Sequence, residues 1–219
     1  QSFDVVVVDE ASQLTEPDTL AAINRGERFV LVGDHQQLPP VVRSGGALET
    51  SLFERLIELH PEAAVMLDRQ YRMSQRIQAF PSREFYDGEL RPASAEVAGQ
   101  SVRDLGVDPT QDLRYDGVAF EAVQGTEAAH TDTAEAEAVA RIVDAYLSAG
   151  VEPEDIGVIA PFRAQVSTIA REAPSGVTVD TVDRFQGSSK EVIIVSFVAS
   201  GDLEGPIFED NRRMNVALT

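Results

Sequence analysis

An α/β fold with mainly parallel sheets is the architecture this sequence predicts, and three observations predict it. Strand-like and helix-like patterns alternate along the 219 residues, the order expected when strands are joined by crossover helices. The first strand candidate is apolar on both faces, as a buried parallel strand is. Polar clusters follow the strands at their carboxyl ends, where open α/β sheets hold ligands.

Phe3–Val8, with four consecutive valines from Val5, reads as a central strand. Thr15-Glu16-Pro17 reads as a helix start, proline being tolerated in the first turn. Arg28–Val32 is a second strand, ending at Gly33-Asp34. Ser51 and Glu54 have capping-box spacing, and Leu52, Leu56 and Leu59 give the helix behind them one apolar face. Ala64–Leu67 reads as a short strand, and the polar stretch 93–116 as an excursion from the core. Val118–Val123 is a further strand candidate. Val139, Ile142, Val143 and Tyr146 recur with the period of an amphipathic helix. Strands over Ile156–Ala160, Val177–Val179 and Val192–Val198 follow, with a helix including Ala164–Ile169 and another from Asn211. Two lobes fit this pattern, residues 1–66 and 67–219.

The net charge is −19, from 37 acidic and 18 basic residues, and Lys190 is the one lysine. Such a surface suits solubility at high salt, although an ordinary acidic cytosolic protein would also fit. Charge of this sign repels phosphates, so any nucleic-acid contact must rest on local arginines and backbone amides. The absence of cysteine excludes disulfides and thiolate metal sites. His35, His60 and His130 are too scattered to suggest zinc. No apolar run approaches a membrane span, and no signal peptide is visible, so a cytoplasmic protein is expected.

Five clusters carry chemistry. Asp9-Glu10 end the first strand: Asp9 suits a magnesium ligand beside a polyphosphate, and Glu10 an activator of water. Acidic residues at a plain turn are the alternative. Gly33-Asp34-His35-Gln36-Gln37-Leu38-Pro39-Pro40 suits a loop that senses a terminal phosphate. There Gln37 would donate to an oxygen or position water, and Asp34 would couple the loop to its lobe. A surface turn is again the alternative. In Asp68-Arg69-Gln70-Tyr71-Arg72-Met73, arginine suits a transferring phosphoryl group and tyrosine offers a face for a base. An amphipathic segment with paired arginines explains the same residues. In Thr181–Glu191, Gly187 permits close backbone approach, while Asp183 and Gln186 suit coupling of nucleotide state to a strand contact. A structural loop remains open there. Asn211–Thr219 opens with two arginines, Arg212 and Arg213, of a kind usually solvated.

In this order the clusters resemble the motifs of superfamily-one helicases, in the branch containing the nonsense-mediated-decay helicase and its DNA-replication relatives. The strings are Asp9-Glu10-Ala11-Ser12-Gln13, Gly33–Pro39, Gln70-Tyr71-Arg72-Met73, Val182–Gly187 and Asn211–Thr219. Phe80–Gly88 and Ala160–Gln165 look familial too. The resemblance implies two RecA-like lobes, ATP and magnesium as cofactors, and single-stranded DNA or RNA as partner, tracked 5′ to 3′. It implies Asp9 on magnesium, Glu10 on water, Gln37 and Arg72 at the γ-phosphate, Tyr71 on adenine and Gly187 at the nucleotide. Pro161, Phe162, Arg163 and Thr181 would touch the strand's backbone. Ser188-Ser189 stand where the family commonly has an acidic ribose contact, and Phe162 where it usually has tyrosine.

By the same resemblance a phosphate loop is expected before Gln1 and an arginine after Thr219, an arginine finger being worth about 10³–10⁵ in rate. The expectation is a first lobe that is incomplete, with an unpaired apolar edge and low stability by itself, and no measurable ATP hydrolysis by these 219 residues alone. A nucleotide-switched clamp without unwinding, and a motor joined to a nuclease, are the competing functions.

Overall fold

The computed structural model describes residues 2–42, 46–107, 117–125, 130–198 and 206–219. The chain divides into two compact units, Gln1–Leu67 and Asp68–Thr219. All strand pairs among the described residues are parallel, as the α/β reading requires.

In the first unit β1 (Phe3–Val8) pairs with β2 (Gly26–Leu31) from Phe3↔Gly26 to Val8↔Leu31. Helix α1 (Glu16–Ile23) makes the crossover, with Thr15 extended before it and Pro17 in its first turn. Helix α2 (Leu52–Leu59) is capped by Ser51, whose hydroxyl accepts the Glu54 amide at 3.1 Å. Arg55 ties α2 to α1 through Glu16 at 2.7 Å, in a partly exposed pair. The small core is Val8, Ala11, Leu38 and Leu52. β1 is not the covered central strand that its valines suggest. Among the described residues it has one partner, and Val7 is 64% exposed. Two strands and two helices offer too little apolar surface to cover it.

The second unit opens with β3 (Arg69–Gln70), paired with β4 (Arg91–Pro92) around helix α3 (Gln75–Phe85). The short helix α4 (Ala95–Ala98) follows. Its main sheet has the order β6-β5-β7, from β5 (Ile156–Ile159), β6 (Thr178–Asp180) and β7 (Val192–Val195). Helices α5 (Thr133–Ser148) and α6 (Arg163–Glu172) cover it. Val139, Val143 and Tyr146 of α5, Ile169 of α6, and Ile156 and Val158 of β5 form one buried cluster. Helices α7 (Val182–Phe185), α8 (Pro206–Glu209) and α9 (Asn211–Leu218) complete the unit.

Three sequence expectations are corrected. Ala64–Leu67 is not a strand: Val65 and Leu67 are exposed, and pairing starts at Arg69. Val118–Val123 has no strand partner, and Val118 and Phe120 are exposed. The stretch 93–116 is not wholly an excursion, because Val102, Leu105 and Val107 pack on the core; residues 108–116 lie outside the described residues.

Candidate functional site

In the first unit the loops after β1 and β2 lie side by side. The Val32 amide donates to the Val8 carbonyl and the Ala11 amide to the Val32 carbonyl, both at 2.8 Å, so the pairing continues past the strand ends. A Cβ at Gly33 would lie 2.9 Å from the Ser12 nitrogen, so only glycine fits there. The Asp34 amide donates to the buried Ser12 hydroxyl at 3.1 Å, closing the second loop onto the first.

That clamp brings Asp9-Glu10 and Asp34–Gln37 to one sheet edge. Asp9 and Glu10 are exposed, and Asp9 accepts the Glu10 amide at 3.0 Å. Glu10 takes a left-handed backbone, φ 51°, ahead of a 3₁₀ turn over Ala11–Gln13. A glutamate held there is strained, by about 1–3 kcal/mol, and such strain clusters at functional sites. Gln13 donates to the Glu10 carboxylate at 2.7 Å and fixes its direction. Gln37 donates to the Asp34 carboxylate at 3.0 Å, leaving its second amide hydrogen for another acceptor. Asp34 also accepts the Gln36 amide at 2.9 Å.

Magnesium usually binds one or two carboxylates together with substrate phosphates and waters. Among the described residues no three His, Cys, Asp or Glu side chains converge as an all-protein metal cage. The exposed Asp9 carboxylate at a strand end fits the phosphate-dependent mode.

In the second unit Gln70 shapes the next cluster. Its side chain accepts the amides of Arg72 (2.9 Å) and Met73 (2.7 Å) and donates to the Met73 carbonyl (2.7 Å). The turn buries Met73 and leaves Tyr71 75% exposed. Arg72 donates to the Thr219 carbonyl at the end of α9 (3.1 Å).

Thr181 precedes α7 at the end of β6, its amide bonded to the Asp180 carboxylate at 2.8 Å. Pro161, Phe162 and Arg163 leave the end of the adjacent β5, so this strand-contact set shares one sheet edge. Phe162 packs on the His130 ring at 4.3 Å, and Arg163 is exposed. Gly187 is exposed with φ 78°, and a Cβ there would meet nothing within 4 Å. The Asp183 carboxylate accepts from Arg213 at 3.4 Å, and Arg213 also faces Asp210 at 3.6 Å. Arg213 is therefore a paired link between α7 and α9, not the solvated arginine its position suggested. The buried Gln186 Nε2 has no hydrogen-bond partner among the described residues.

A polar network escaped the sequence reading. Gln165, fully buried, accepts the Asp132 amide (2.9 Å) and donates to the Asp132 carbonyl (2.9 Å) and the Ser196 hydroxyl (3.3 Å). Ser196 donates to Glu135 at 2.5 Å, and the Val198 amide to the same oxygen at 3.0 Å. The network ties the start of α5 and the segment after β7 to the turn that carries Pro161–Arg163. The available signal was a glutamine one helical turn before Ile169, on the face that packs inward.

Two family profiles, each described as an AAA domain, match residues 1–45 and 48–219. The chain is 40% identical to the DNA replication ATP-dependent helicase/nuclease DNA2 of Xenopus laevis, over 99% of this chain and 24% of the relative. It is 36% identical to the DNA replication ATP-dependent helicase/nuclease JHS1 of Arabidopsis thaliana, over 99% of this chain and 18% of the relative. It is also 36% identical to an uncharacterized ATP-dependent helicase, MJ0104, of Methanocaldococcus jannaschii, over 99% of this chain and 34% of the relative. The chain thus spans about a quarter of the length of the curated relatives it matches. No helix among the described residues is long and apolar enough to cross a membrane.

Proposed function

The chain belongs to the AAA-domain family in its superfamily-one helicase form, and from that premise we propose that it is the motor core of a protein that hydrolyses ATP to move along single-stranded nucleic acid. One observation carries this reading: the Gly33–Ser12 clamp sets a strained, outward-facing Glu10 and the Asp34–Gln37 loop on one edge of the first unit.

Asp9 would hold magnesium, which neutralises phosphate charge when bound. Glu10, aimed by Gln13, orients and deprotonates the water that attacks the γ-phosphate. Gln37, held by Asp34, turns its remaining amide hydrogen to a γ-phosphate oxygen or to that water. Arg72 offers a planar guanidinium to the charge that develops on the transferring group. The exposed Tyr71 ring supplies a stacking face for adenine, and the backbone at Gly187 leaves room for the nucleotide. Asp183, through Arg213, and the unmatched donor of Gln186 suit the coupling of nucleotide state to strand contact. Pro161, Phe162, Arg163 and Thr181 form the contact with the track, and travel is 5′ to 3′ as in the family branch.

The names of the DNA2 and JHS1 relatives favour DNA as the track and a motor joined to a nuclease in the whole protein. Glu10→Gln in the whole protein tests the reading. Magnesium-dependent ATP hydrolysis should fall about 10²–10⁴-fold while nucleotide binding persists. Unchanged turnover would remove Glu10 from the chemistry. Strand displacement measured beside ATPase separates a helicase from a clamp, since a clamp hydrolyses without separating strands.

A further inference from the structure

The second unit holds a hollow of about 650 Å³ bounded by α3, the β3–β4 pair and α4. Arg69, Arg83 and Arg91 line it, and none of its lining residues is Asp or Glu, although acids outnumber bases by 37 to 18 in the chain. Arg69 and Arg91 are register partners across β3 and β4, so their side chains leave the same face. Like charges placed opposite one another destabilise a sheet unless something lies between them. Asp68 reaches Arg69 only at 3.9 Å, and Arg91 has no ion pair among the described residues. Arg83 is tied to Glu84 at 2.7 Å and lies over the Phe80 ring. Gln78 also lines the hollow. It is 3% exposed, and its Oε1 has no hydrogen-bond partner among the described residues.

We infer that this hollow is a second seat for the nucleic-acid strand, with a phosphate held by Arg69 and Arg91 and an N–H or O–H donor of the adjoining nucleotide given to Gln78. Guanidinium forks match phosphate oxygens. The buried acceptor calls for a ligand that carries donors beside its negative charge, as a nucleotide unit does. In so acidic a chain, a hollow lined by three arginines and no carboxylate is a local exception that a polyanion can find. The inference rests on the proposed single-strand track, and adds to it a contact away from the Pro161–Arg163 edge.

The test is anisotropy titration of the full chain with a short labelled oligothymidylate over a range of salt. The Arg69→Gln/Arg91→Gln variant should bind about tenfold or more weakly, with a salt slope smaller by one to two charges, about one per lost phosphate contact. Arg91→Lys should keep most of the slope, which guards against a folding artefact. Gln78→Leu should weaken binding about threefold to tenfold yet raise Tm, because it removes an unmatched buried acceptor; a merely structural glutamine would not do both. Wild-type affinity and slope in the double variant, while Arg163→Gln weakens binding, would overturn the second seat and leave the track standing. No salt-dependent binding by the wild-type chain would overturn both. Displacement of the strand by an oligoglutamate, charge for charge, would assign the hollow to acidic peptides instead.

Discussion

The sheets of the two units are built from similar residues and end in opposite circumstances. β1 carries valines at every position from Val5 to Val8 and leaves most of them in solvent, whereas all four residues of β5 are buried. The difference lies in what is packed against them. α5 and α6 lay Val139, Val143, Tyr146 and Ile169 on β5, while nothing in the described residues does the same for β1. A valine run records an affinity for cover; the cover itself comes from elements distant in sequence.

The largest expected effect breaks or keeps this contrast directly. Ile156→Ala, at a fully buried position, should cost about 2–5 kcal/mol in denaturant unfolding followed by circular dichroism. Val7→Ala should stay within about 0.5 kcal/mol. Equal costs would mean that β1 is covered in solution. Next comes Gln165→Ala, which strands the buried Asp132 backbone groups and should cost about 1–3 kcal/mol. Hydrogen exchange at the start of α5 should rise with it, and an unchanged rate there would show that the network does not pin that helix.

These cases also show what the sequence could and could not reveal. α5, β5 and α9 were legible because local periodicity coincides with real burial. β3 was missed because Ala64–Leu67 is the more apolar run, yet the backbone pairing begins at Arg69, where α3 returns Arg91 alongside. Val118–Val123 has a strand composition and no neighbour to pair with. At the candidate site, the residue types of Asp9, Glu10 and Gln37 were readable, since strand ends present such groups. The left-handed backbone of Glu10 was not, because nothing in a glutamate foretells it. Arg213 looked solvated because its acceptor, Asp183, lies far off in sequence.

Two smaller effects sharpen the comparison on the side of the first unit. Ser51→Ala removes the cap of α2 and should cost about 1 kcal/mol, read from the urea midpoint. A loss near zero would mean that the helix start is held by packing alone. Glu10→Gly should do the reverse and stabilise by up to about 1 kcal/mol, as left-handed strain is relieved. Destabilisation instead would show that the Gln13 contact outweighs that strain.

Gly33 has a mutational consequence. Because even a methyl group there would press on the Ser12 amide, a saturation library read by growth should tolerate one letter at this column and many at the neighbouring, half-buried His35. Alanine, ordinarily the mildest replacement, should be rejected as firmly as tryptophan.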